Sequence, residues 1–84
     1  MATTNFMAAR KIVLPATIPG QEGYHHSNPE MHLYPDESFS ITVDRGMCWI
    51  EDSSRGVRRE ITFKAAGHII LNHDAVIVNM VGRI

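Results

Sequence analysis

The second half of the chain alternates. Phe39, Ile41 and Val43 are separated by Ser40 and Thr42, which predicts a strand with one apolar and one polar face. Asp44-Arg45-Gly46 reads as a turn, with Gly46 suited to a positive φ. Met47–Glu51 follows as a strand containing Trp49 and Ile50, and Asp52-Ser53-Ser54-Arg55-Gly56 is a second turn cluster. Arg58–Lys64 alternates again, with Ile61 and Phe63 on one side and Glu60, Thr62 and Lys64 on the other. Ala65-Ala66-Gly67 reads as a third turn, Ile69–Leu71 as a short strand and Asn72-His73-Asp74 as a fourth turn. Ala75–Val81 is apolar on both faces, with Val76, Val78 and Met80 against Ala75 and Ile77, so a buried or central strand is expected. Short strands with regular turn signals predict an all-β meander, closed as a small antiparallel β-roll or barrel. No helix-period segment longer than two turns competes with it.

The first half is less regular. Thr3 or Thr4 is placed to cap a short helix through Met7–Arg10, with a frayed tail as the alternative. The stretch lacks the basic start and apolar run of a secretory signal. Ile12–Leu14 reads as a strand stopped by Pro15. Pro15, Pro19, Gly20, Gly23, Pro29 and Pro35 then forbid a helix of useful length, leaving one extended piece at Met31–Tyr34. This segment reads as a proline-rich arm protecting a sheet edge, with a functional loop as the alternative. The expected organisation is one domain over 1–84, with an N-terminal segment and arm at 1–37 and a meander core at 38–84.

The run Ile41-Thr42-Val43-Asp44-Arg45-Gly46-Met47-Cys48-Trp49-Ile50-Glu51 resembles the glycine–tryptophan strand signature of the DUF2917 family, small bacterial proteins of unknown function. Phe63-Lys64-Ala65-Ala66-Gly67-His68-Ile69-Ile70-Leu71 is similar to that family's later glycine turn, with His68 where the family carries an acid. The resemblance covers residues 38–81. It implies a cupin-like β-fold and no reaction.

Alternation between glycine-containing turns fixes which face turns inward. The expected core is Phe39, Ile41, Val43, Trp49, Ile61, Phe63, Ile69, Leu71, Ile77 and Val78, with Val76 and Met80 covered by another segment or a second chain. Trp49 is expected as the main core anchor, and the competing reading is an exposed binding hot spot.

Composition narrows the functional classes. The chain has 84 residues, 44% of them hydrophobic, and a net charge of -1; these suit a globular fold and argue against a generic nucleic-acid binder. No segment approaches the run of about 18 apolar residues that spans a membrane. Cys48 stands alone, which excludes an intrachain disulfide and a multi-cysteine zinc site. A buried inert thiol and a cytoplasmic protein are expected. A small domain without such staples gains from an oligomeric interface, so a homodimer is an expected state.

Three features bear candidate chemistry. The first is histidine and carboxylate: His26, Glu30 and His32 lie in the irregular segment, and a two-residue spacing puts Glu30 and His32 on one face of an extended piece. With His68, or alternatively His73, from a later turn they form a candidate site for a divalent transition metal. The resemblance to cupin rolls implies a similar ligand pair, although the cupin pattern Gly-x5-His-x-His-x3-4-Glu is not present. A pH-sensitive patch is the alternative use of the same histidines. The second feature is an arginine cluster, Arg55, Arg58 and Arg59, a candidate contact for a partner, an anion or an RNA backbone. The third is uneven charge, with Glu22, Glu30, Asp36, Glu37 and Asp44 ahead of Arg45, Arg55, Arg58, Arg59 and Lys64, which reads as ordinary solvated faces or as complementary patches that steer a partner. No nucleophile elbow or phosphate-cradling glycine loop is present. The favoured reading is therefore a non-enzymatic domain acting by protein–protein binding, as a regulator or as an inhibitor made by a phage or mobile element, with a second copy of itself as one partner.

Overall fold

The computed structural model describes residues 1–81, with side chains through Val78. Seven strands and one α-helix follow in the order β1 Ala2–Ala8, β2 Ile12–Leu14, β3 Met31–Leu33, β4 Ser38–Asp44, β5 Met47–Asp52, β6 Val57–Ile61, α1 Phe63–Leu71 and β7 Ala75–Val81. Five strands form an antiparallel sheet in the order β6-β5-β4-β1-β7, and β2 pairs with β3 in a second, two-stranded sheet. The protein is mostly β, as the alternation predicts. The expected closure into a barrel is corrected: the large sheet is open, with β6 and β7 at its two edges.

The inner face of the large sheet carries Phe6 and Ala8 of β1, Phe39 and Ile41 of β4, Cys48 and Ile50 of β5 and Ile61 of β6, all buried. Ile12, Leu14, Met31 and Leu33 of the small sheet and Ala66 and Ile69 of α1 complete the same cluster, so the core is one sheet face roofed by a hairpin-like pair and a helix. Phe6 lies opposite Phe39 in register, and their rings stack with centroids 5.2 Å apart. The β4–β5 turn uses positive φ at both Arg45 (54°) and Gly46 (77°), the mirror-image turn that matches the right-handed strand twist.

Four sequence expectations are corrected here. Met1–Arg10 forms no helix. β1 is an internal strand between β4 and β7, because Phe6 and Ala8 supply a period-two apolar face that adjacent Met7 obscures. The expected turn and strand over 65–71 are instead α1. Thr62 Oγ1 accepts the Ala65 N–H at 3.0 Å as its N-cap, and Ala66 and Ile69 recur at helical spacing. The helix ends with His73 in the left-handed region (φ 59°), its N–H bonded to Ile70 O and that of Asp74 to Ile69 O, a Schellman closure. Trp49 is not a core anchor: Cys48 and Ile50 point inward, so Met47 and Trp49 point outward and are half-buried. Finally β7 is an edge strand, not a central one, and Val43, Phe63, Leu71, Ile77 and Val78 are exposed where burial was expected, whereas Phe39, Ile41, Ile61 and Ile69 are buried. The expectation for the Met80 side chain, and for residues 82–84 of the meander core, lies outside the described residues.

Candidate interaction surfaces

β6 alternates Arg58 outward and Arg59 inward, so the three arginines do not form one surface cluster. Arg59 is 1% exposed. Its guanidinium donates to Pro15 O (2.6 Å), Pro29 O (3.1 Å) and Glu60 O (3.0 Å) and lies over the Tyr24 ring. Burial lowers its pKa, and its donors serve the fold. Arg55 is exposed and bonded to two carboxylates, Asp52 Oδ2 at 2.6 Å and Glu37 Oε1 at 2.9 Å. These hydrogen bonds raise the Arg55 pKa, and the Arg55 and Tyr34 donors hold Glu37 below the usual carboxylate range. Arg55 and Glu37 thus join the basic second half of the sequence to the acidic first half by one ion pair. Arg58 lies across the outward Trp49 ring, 4.7 Å from its centroid, with the His26 ring 5.3 Å from the same tryptophan.

The four metal candidates separate. Glu30 and His32 do share a side of the extended piece, with His32 Nε2 3.2 Å from Glu30 Oε1. His26 instead turns to Glu60, its Nδ1 3.1 Å from Oε1. His68 sits on α1 against Asn72. Among the described residues no group of three His, Cys, Asp or Glu side chains converges as a metal site.

Glu60 is a residue that the sequence reading passed over as an outward polar position. It is buried. Its Oε1 accepts the backbone N–H groups of His25 (2.9 Å) and His26 (3.0 Å) as well as the His26 ring. Burial pushes its pKa up, but these hydrogen bonds outweigh burial and hold the carboxyl below its ordinary value. Its own N–H donates to Asn28 Oδ1 at 2.9 Å, and Asn28 Nδ2 donates to Thr17 Oγ1 at 2.7 Å. Cys48, by contrast, behaves as expected, a buried thiol whose pKa burial raises.

At the other edge, β7 pairs with β1 on one side and, among the described residues, with no strand on the other. Val76, Ile77 and Val78 are 60%, 54% and 58% exposed. The register to β1 shifts between Asn5 and Phe6, which places Val78 at a bulge. Neighbouring α1 exposes Ile70 and Leu71. On its other flank, Phe63 and Ile70 line an apolar groove of about 320 Å³ with Val43 and Thr4. Comparison with family models, curated proteins and solved structures finds no match. The most distinctive surface is therefore this edge, where three consecutive apolar side chains stand exposed on a strand paired on one side only.

Proposed function

We propose that this chain is a non-enzymatic binding domain that engages another polypeptide through the β7 edge, in the role of a regulator or inhibitor. The observation that carries this reading is the exposure of Val76, Ile77 and Val78 on a strand with one free side. An unpaired row of backbone N–H and C=O groups is a template for strand addition, and apolar side chains on both faces supply the burial that accompanies it. In this reading the proline-rich segment is the arm that guards the opposite edge. A cytoplasmic setting suits a lone, buried thiol.

The test is affinity capture from a lysate of the native host with two baits, the wild type and Val76→Lys. A polypeptide retained by the wild type and lost with Val76→Lys supports the reading. Equal capture by both baits, or capture by neither, overturns it. A second reading, metal binding, is favoured by the 3.2 Å Glu30–His32 pair. Elemental analysis of protein purified without a histidine tag tests it: stoichiometric metal that His32→Ala abolishes supports it, and metal-free protein removes it.

A further inference from the structure

Resting on the reading of β7 as a binding edge, we propose that its partner is a second copy of this chain, joined by antiparallel β7-to-β7 pairing about a two-fold axis. The sequence of Ala75–Val81 is that of a strand covered on both faces, yet in one chain it sits at the sheet edge with Val76 on the outer face and Ile77 on the inner face both exposed. Pairing β7 with its own copy gives Val76, Ile77 and Val78 cross-strand neighbours on both sides and so reduces their exposure. It joins two five-stranded sheets into one continuous sheet in which β7 is central.

Self-pairing is also what the strand's charge allows. Two copies of one strand laid antiparallel about a two-fold axis bring the residues near the axis against their own copies, so a charged residue there would meet like charge. Ala75–Val81 contains no Lys, Arg, Asp or Glu, and no Pro to interrupt the new ladder. It lacks the devices by which edge strands are kept apart.

The opposite edge makes the assembly stop at two. Head-to-tail addition, β7 of one copy onto β6 of the next, would propagate without end. The outward Glu60 N–H of β6 is already bonded to Asn28 Oδ1, and the segment holding Asn28 is anchored through Arg59 and Glu60. Within the large sheet the described residues put no strand against the outer side of β7, and an interface made of two identical edges closes on itself.

Sedimentation equilibrium on the full chain, from low to high micromolar concentration, reads the result. The wild type is expected to double in mass over this range, and Val76→Lys is expected to keep the single-chain mass with an unchanged circular dichroism spectrum. A wild type that stays at one chain, a mass that rises past two, or a two-chain Val76→Lys each overturns the proposal. If Val76→Lys loses its native spectrum, amide exchange of the wild type decides: slowing at residues 76–78 with rising protein concentration supports β7 pairing, and concentration-independent exchange removes it. A single-chain wild type that still captures a Val76-dependent polypeptide defeats self-pairing alone. A single-chain wild type that captures nothing defeats the binding edge as well.

Discussion

At the β6 edge, the outward N–H of Glu60 finds Asn28 Oδ1, its carboxylate holds the His25 and His26 backbone, and the inward Arg59 ties down Pro15 and Pro29. At the β7 edge, no strand among the described residues pairs with the outer side of Ala75–Val81, the strand itself carries no charge or proline, and Val76, Ile77 and Val78 are exposed. Both edges belong to one sheet built on one core. The difference is that β6 carries ionisable residues, Arg59 and Glu60, that hydrogen-bond to other segments of the chain, whereas β7 exposes the apolar Val76, Ile77 and Val78. A segment held by charged side chains and an apolar strand thus leave the two edges of one sheet in different states, and the proposed pairing uses the second.

If the β6 edge is closed by internal bonds, cutting them should cost stability at any protein concentration. The largest expected loss is for Arg59→Ala, which strips three backbone carbonyls of a charged donor and leaves a void beside Tyr24. Hydrogen bonds to charged groups contribute about 1.5–3 kcal/mol each, so a loss of about 3 kcal/mol or more is expected in chemical denaturation. A domain of this size has roughly 4–13 kcal/mol in all. A loss below about 1 kcal/mol would mean that Arg59 is not what fastens the segment.

Glu60→Gln keeps the size of the side chain and removes its charge, so a smaller cost of about 1–2 kcal/mol is expected at neutral pH. The sign of its pH dependence follows from the lowered pKa. The ionised carboxylate stabilises the fold fully above its ordinary value of about 4.5, and that contribution is lost as pH falls through the lower folded value. Unfolding midpoints of the wild type and Glu60→Gln measured from pH 7 down to pH 3 should therefore converge. A constant gap would show that the charge itself plays no part in holding His25 and His26.

Trp49 sharpens the comparison from the side of the same edge, since it lies opposite Glu60 in register and is flanked by Arg58 and His26. Half-buried and held by one cation–π contact, it should cost about 1–2 kcal/mol on change to alanine. Inward Ile50, its neighbour, should cost about 2–5 kcal/mol. Equal losses in thermal or chemical melts would contradict the assigned faces of β5.

What could be read from the sequence follows from where one signal acted alone. β4 and the turn after it were legible, because Phe39 and Ile41 alternate cleanly with serine and threonine and Gly46 marks the reversal. β5 offers Met47 and Trp49 against Cys48 and Ile50, apolar residues on both faces, so period two gives no direction and the size of the tryptophan ring points the wrong way. At Ile61-Thr62-Phe63 the strand alternation runs on past the strand's end, and Gly67 reads as a turn. The Thr62 cap and the Ala66–Ile69 spacing were the available helix signals. Of the candidate chemistry, the Glu30–His32 proximity follows from local spacing. The fates of Arg59, His26 and Glu60 depend on contacts between residues far apart in the chain, which no local pattern encodes.

The smallest expected effect on the single chain is the one that most directly separates the two edges. Val76 points outward from the solvent side of β7 and belongs to no buried cluster, so Val76→Lys should change the stability of dilute protein by no more than about 0.5 kcal/mol. At high concentration the outcome should differ. Association that favours the folded state adds stability by mass action, so the wild-type melting temperature should rise with concentration while that of Val76→Lys stays fixed. Glu60→Gln should lower the melting temperature by a similar amount at both concentrations, because its bonds lie within one chain. Wild-type melting that is independent of concentration would place β7 on the same footing as β6, an edge that one chain tolerates by itself, and the contrast between the two edges would lose its functional meaning.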